Sequence, residues 1–464
     1  MKKNILIFGI CSFLFACQHE ESLVENNSEE SSSSLTVEDS TFVDVSLAKR
    51  VATTSKRHGS RSASSNVEEV ITLSDTENKP WCYVVNHGNN NGYAMISATK
   101  NYHPVLMWSD KGNFDVNDIP EAAKFYIDGY RANIETLKNA PFDSIYRYRQ
   151  EWMEYEEKTE SRRVESRSLP TDVLYCMQQH EALWWSEGHQ YSPIATNGLN
   201  LPTSVYENAV FMAELSMRED YMETSYIVRM EEVETIYVPQ MLTTQWSQLY
   251  PANAKIQEYT GLAEPYVGCF PLAIAQVMKY YQYPTGYNWT AMPDVPTYYH
   301  YSEVARLLLD IGIATNTNFS EIQSTTSSSN ALSYLRNNGY GDATEVSHNQ
   351  FTVRSQLLYN KPVIMSGKPA NNSSGTGHAW VCDGLNENNY RTAYYLMTIL
   401  DTTPLSYLAK EIMIEDEWAS RTFHLVWGEG GTTDGWFRDN EVVYQGVSHS
   451  ANRKDIINIY VTEE

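Results

Sequence analysis

After Gly268, apolar residues recur at helical spacing. Leu272, Ile274, Ala275, Val277, Met278 and Tyr281 make one broad face, which predicts a helix. Pro271 suits its first turn, where a missing N–H costs nothing. Earlier in the chain the pattern alternates. Residues 81–86 and 92–98 read as hairpin strands across an Asn/Gly-rich turn, and 105–109 as a third strand. A helix opens at Ile119-Pro120 and runs to about Lys138, with Ala123, Tyr126, Ile127, Tyr130 and Ile134 along one face. Residues 145–163 predict a charged amphipathic helix, and 160–168 an exposed linker. Residues 375–384 read as a glycine-rich loop entering a buried strand that stops at Asp383-Gly384.

The first residues have a different pattern. Met1-Lys2-Lys3 is basic, and 5–16 is apolar but too short to span a bilayer, as in a signal segment. Leu14-Phe15-Ala16-Cys17 resembles a bacterial lipoprotein signal in which Cys17 takes the lipid; an ordinary signal peptide with a chance cysteine is the alternative. The acidic residues just after Cys17 resemble a surface-export signal of Gram-negative lipoproteins, so the expected location is the outer membrane or cell surface. The expected organisation is a signal over 1–17, a flexible Ser-rich tether over 18–66 and a small α+β domain over 67–140. A charged linker region follows over 141–237, and a larger domain over 238–464.

Composition narrows the function. A net charge of −24 argues against nucleic-acid binding, because phosphate contacts need Lys and Arg. Six cysteines are present, none in a C-x-x-C pair, and no Walker loop or dinucleotide fingerprint occurs, so no metal or organic cofactor is expected. The 33 tyrosines and 11 tryptophans fit an aromatic-rich sheet rather than a carbohydrate platform.

The candidate chemistry starts at Cys269. A thiol at a helix N-terminus faces unpaired N–H groups and the positive end of the dipole, and both favour the thiolate. A small buried hydrophobe is the bland alternative. His378, at the start of the later strand, could pair with it: thiolate and imidazolium stabilise each other, and the imidazolium protonates a leaving amine. Cys382, on the same strand, reads as core.

Four stretches together resemble the streptopain-like cysteine peptidases. They are Gly268-Cys269 with Ala275-Gln276-Val277-Met278-Lys279-Tyr280, Gly377-His378-Ala379-Trp380-Val381-Cys382-Asp383-Gly384, Leu242-Thr243-Thr244-Gln245-Trp246-Ser247-Gln248, and Trp427-Gly428-Glu429-Gly430-Gly431 with Asp434-Gly435-Trp436-Phe437. Their order along the chain is the family's. The resemblance implies an α+β, papain-like fold: a helix carrying the Cys against a twisted antiparallel sheet, preceded by a small α+β propeptide domain. It implies a latent precursor whose partners are protein or peptide substrates and its own propeptide, with the membrane reached through the N-terminal lipid. It implies Cys269 as nucleophile, His378 as proton carrier, Gln248 as oxyanion donor (Gln245 being the second candidate) and Trp427 as shield of the His. Processing is expected at Arg162, Arg163 or Arg167, with Arg229 as a later site.

The chain departs from the family where an Asn usually orients the His. Val426 stands there, and Glu429 replaces a second Trp. The third member of the triad is then missing or supplied from elsewhere, with Asp401 of the insertion around 390–420 a candidate. A catalytically weakened homologue acting as a surface binding protein is the runner-up function.

Overall fold

The computed structural model describes residues 41–54, 67–119, 121–156, 191–195, 225–297, 301–367, 377–402, 405–431, 433–439, 443–444, 447–448 and 453–462. Cys17, the Ser-rich stretch to residue 40 and the proposed cleavage points Arg162, Arg163 and Arg167 lie outside them. No helix among the described residues is long and apolar enough to cross a membrane.

The first element corrects the tether. Val45–Thr54 is a helix, α1, started by Asp44, whose Oδ1 accepts from Leu47 N–H at 2.7 Å. Leu47, Ala48, Val51 and Ala52 recur on one face and are buried. That periodicity fills only a 10-residue helix set between Ser-rich flanks, so composition hides it. Strands β1 (Val67–Ser74), β2 (Pro80–His87), β3 (Tyr93–Ser97) and β4 (Val105–Ser109) then form an antiparallel meander. Helices α2 (Glu121–Leu137) and α3 (Phe142–Glu156) follow. β2, β3, β4 and α2 fall where the pattern placed them. β1 was not anticipated, since its residues are mostly exposed or half-buried and give no clean alternation. α3 ends at Glu156 and buries Ile145, Tyr148 and Trp152, so it is part of the folded body rather than linker.

β5 (Tyr191–Ala195) and β6 (Ser225–Val238) form the next antiparallel pair. Helices α4 (Ala254–Thr260), α5 (Cys269–Tyr281), α6 (Ser302–Ala314) and α7 (Ser328–Asn337) pack into one cluster, followed by β7 (Thr344–Ser347), α8 (Gln350–Leu358) and β8 (Val363–Gly367). Two long strands come next, β9 (His378–Thr402) and β10 (Leu405–Val426). β11 (Gly435–Arg438), the pair β12 (Val443–Tyr444) and β13 (Val447–Ser448), and β14 (Lys454–Ile457) complete the chain.

Three sequence expectations change here. The strand that begins at His378 does not stop at Asp383-Gly384; it continues to Thr402 and folds back as β10, so the insertion is a long hairpin. β6 pairs along β9 from Ser225↔Thr398 to Val238↔Leu385, which moves the start of the larger sheet well before residue 238. Arg229 is paired on both sides, to Ile194 and Tyr394, and a strand held in a ladder is a poor cleavage site.

The two expected domains also share one sheet. Its order is β1-β2-β3-β4-β11-β10-β9-β8-β14-β7, with β4 joined to β11 at Trp436↔Trp108 and Phe437↔Met107. The indoles of Trp108 and Trp436 stack over that joint at 5.3 Å. One apolar cluster contains Tyr126 and Tyr130 of α2 together with Trp380, Cys382, Trp427 and Phe437. Arg438 is buried at the joint and donates to Glu151 of α3 at 2.8 Å, Ser420 at 2.7 Å and the Val105 carbonyl at 2.5 Å.

Two predictions follow from these buried charges. Glu151→Ala leaves the Arg438 guanidinium without its carboxylate and should cost about 3–5 kcal/mol in urea unfolding; a loss under about 1 kcal/mol would contradict the account. The second concerns His348, held between Asp455 and Asp439, each at 2.8 Å. Burial and Arg453 oppose its charge, yet the two carboxylates push it up to about 9. The raised value means this stabilisation is full below the ordinary imidazole range and is lost as pH rises through about 9. Unfolding curves across that range should show the loss in the wild type, and His348→Gln should flatten it.

Candidate active site

Cys269 opens α5. Gly268 before it has φ +99°, a conformation that favours glycine, and its carbonyl accepts from Leu272 N–H at 3.1 Å as the helix begins. The rest of α5 is almost wholly buried, so the helix cannot slide and the thiol is fixed. Cys269 itself is partly buried. Its sulfur faces the backbone N–H groups of Ala379, Phe270 and Cys269. Burial nevertheless pushes the thiol above its ordinary range, those N–H groups pull it back, and the Glu429 charge raises it further.

The Ala379 N–H brings the Cys269 thiol beside the strand start where His378 stands. The His378 ring lies parallel to Trp380 at 6.4 Å. Its Nε2 is 3.3 Å from the Trp427 carbonyl oxygen. The acceptor beside this ring nitrogen is thus a main-chain carbonyl, and Val426 supplies no side-chain acceptor. Val426 is buried, pairs with Val381 across β9–β10, and serves as core. Asp401 pairs with Ser406 near the far end of the hairpin, roughly 70 Å along an extended strand from His378, and is excluded as the orienting residue.

Trp427 has two parts to play. Its ring is buried against Trp380 at 5.3 Å, Phe437 at 5.0 Å and Tyr126 of α2 at 5.7 Å. Its main chain is held by Asp434, whose Oδ1 accepts from Trp427 N–H at 2.9 Å. Burial raises Asp434 to about 6, with His424 and that N–H pulling the other way. Sequence reading missed the orienting carbonyl, because a backbone acceptor leaves no residue signature.

Gln248 adjoins the residue before Cys269. Its Oε1 accepts from Gly268 N–H at 3.2 Å, and its side-chain amide donates to the Glu429 carboxylate. Gln245 instead lines a polar cleft with Thr243, Thr244, His424 and Asp434. Asp383 anchors the segment that carries Gln248: its Oδ2 accepts from Leu242 N–H at 2.7 Å and Met241 N–H at 3.0 Å, and its Oδ1 lies 2.6 Å from His424 Nδ1. Cys382 is fully buried and so is Cys82. Among the described residues no cluster of His, Cys, Asp and Glu could hold a metal ion.

Comparison with known proteins shows what the chain is similar to. Residues 41–134 match the Spi protease inhibitor family, and 285–437 match the peptidase C10 family. The second match includes His378 and begins after Cys269. The chain is similar to the thiol protease/hemagglutinin PrtT of Porphyromonas gingivalis, 21% identical over 84% of this chain and 37% of that protein. The chain thus spans well under half the length of that relative. It is 20% identical to streptopain of Streptococcus pyogenes, over 82% of this chain and 79% of streptopain. The solved prointerpain A fragment of Prevotella intermedia is 17% identical, with a TM-score of 0.46 over 85% of this chain and 99% of the fragment.

Val426→Asn separates a carbonyl-oriented His from one that lacks its Asn. The new amide would sit in the core, so stability should fall by about 1–3 kcal/mol while alkylation of the Cys269 thiol keeps its rate. A several-fold faster alkylation would show that the orienting group was missing after all.

Proposed function

Starting from the streptopain-like cysteine peptidase that the inhibitor and peptidase matches together identify, we propose that this chain hydrolyses peptide bonds through Cys269 and His378 and is made as a latent precursor. The observation that carries the reading is the meeting of the Cys269 sulfur with Ala379 N–H, beside a His378 whose Nε2 faces the Trp427 carbonyl at 3.3 Å.

The steps follow from that arrangement. His378 takes the thiol proton, and the Cys269 thiolate attacks the carbonyl carbon of the scissile bond. The tetrahedral oxygen is met by the Gln248 amide and the Cys269 N–H. Imidazolium His378 gives its proton to the leaving amine, and water then releases the acyl group with His378 as base. The Trp427 carbonyl keeps the ring from turning, and Trp380 and Trp427 keep water from its apolar side.

The latent state rests on the shared sheet and core. α2 lays Tyr126 on Trp380, whose ring lies parallel to His378, and on Trp427, whose carbonyl faces it, and the Asp118 charge acts on Glu429. A thiol held above its ordinary range in the full chain fits such a state. Cleavage in the Arg-rich linker at Arg162, Arg163 or Arg167 would release it. We further propose that Cys17 carries a lipid and holds the protein at the outer membrane or cell surface, a reading that rests on the sequence; metabolic labelling with a fatty acid, lost in Cys17→Ala, tests it. The binding-protein alternative was motivated by Val426 and weakens once a carbonyl stands in for the Asn.

Cys269→Ala should abolish turnover of a peptide substrate and labelling by an epoxide-type thiol inhibitor while the fold persists. Gln248→Ala should lower kcat about a hundredfold or more. Cys382→Ala should change stability alone. Full turnover in Cys269→Ala would refute the assignment, and equal turnover before and after linker cleavage would refute latency.

A further inference from the structure

Glu429 stands where three parts of the site converge. Its main chain bridges Ser247, and Gly430 N–H donates to the Trp246 carbonyl at 3.2 Å, which ties this loop to the segment carrying Gln248. On the other side the loop lies on the Cys269 helix: a Cβ at Gly428 would come within 2.6 Å of Leu272 Cδ2. The half-buried Glu429 side chain is thereby confined between the oxyanion donor and the nucleophile.

Both ends of the Gln248 side chain are occupied. Oε1 takes the Gly268 N–H, and the amide serves the Glu429 carboxylate. That amide is the group the proposed reaction needs for the tetrahedral oxygen. A bond to an ionised acceptor is about twice as strong as one between neutral groups, so a carboxylate competes well for it. The same negative charge acts on the Cys269 sulfur and disfavours its ionisation. A Trp, the residue this position resembles in the family, could do neither.

We propose that Glu429 is a positioning residue of the reaction centre: as a carboxylate it captures the Gln248 amide and opposes the Cys269 thiolate, and the centre turns over with Glu429 as the neutral acid. This inference rests on the peptidase reading above. The groups that face Glu429 favour the neutral form. Asp118, from the segment before α2, and Asp434, from the segment before β11, both repel a carboxylate, while the Gln248 amide favours it. Lys111, His424 and Asp383 act on Asp434 in turn, and the Cys269 sulfur completes the titratable surroundings. Burial first, then these acids, push Glu429 up to about 7, inside the range where a peptidase outside the cell would sense it.

Glu429→Gln keeps the shape and removes the charge. Two measurements on the full-length protein read the result. The first is kcat/KM against pH after limited cleavage of the linker. The wild type should lose rate as pH rises through the Glu429 titration, and the variant should hold its plateau and exceed the wild type roughly tenfold at about pH 8. The second is alkylation of Cys269 by iodoacetamide, read by peptide mass spectrometry on the uncut chain over roughly pH 6 to 10. This reaction needs neither the oxyanion donor nor processing, and its half-point should move to lower pH in the variant. Robust turnover with superimposable profiles overturns the role of Glu429 and leaves the peptidase reading standing. A uniform loss at every pH, the mark of a merely structural side chain, overturns it too. Absence of thiol-dependent turnover from both chains overturns the peptidase reading instead, and the alkylation half-point then decides alone whether Glu429 governs the thiol.

Discussion

The register of β9 against β10 is the constraint on which the site depends. Val381 faces Val426, so the chain leaving β10 passes the chain entering β9, and the Trp427 carbonyl arrives at the His378 ring. A slip of one residue would turn Val426 out of the core and withdraw that carbonyl, and the burial of one face makes such a slip costly. Asp383 on β9 then fixes the Gln248 segment, and Ala379 on the same strand meets the Cys269 sulfur. Cys269, His378, the Trp427 carbonyl and the Gln248 segment are all indexed to two paired strands. Backbone pairing can do this without an Asn, because the acceptor it supplies is present at every residue.

The same sheet extends through β11 into β4, and so into the prosegment. A prosegment joined by backbone hydrogen bonds, a stacked indole pair and a buried Arg438–Glu151 ion pair belongs to the folded body rather than to a detachable cap. Its removal would uncover the aromatic surface around Trp380 and Trp427 and strand a buried guanidinium. The latent chain therefore has more to hold it together than a blocked cleft, and processing has to offset that loss with gains the mature form makes elsewhere.

The sequence was most legible where function and local pattern coincide. The Cys269 helix announces itself by spacing and by Pro271, His378 by its glycine-flanked strand, and β2 to β4 by alternation. Gln248 and Gln245 are polar residues of one loop, and only family resemblance tells them apart in the sequence. α1 was hidden by Ser-rich neighbours, and β6 by a charged stretch whose partner, β9, lies far along the chain. The role of the Trp427 carbonyl had no signal at all. Glu429 was visible as a departure, but what it touches depends on a bridge to Ser247 that only tertiary structure makes. Local periodicity reports elements; it does not report which distant backbone groups meet.

The proposed chemistry requires His378 and Cys269 to form one titrating unit. The most direct test is a nitrogen-15 NMR titration of His378 in the linker-cleaved protein, with and without Cys269→Ala. A thiolate partner should keep the imidazole charged to higher pH than it stays charged without the sulfur. Identical titrations in the two proteins would contradict the pairing and, with it, the mechanism.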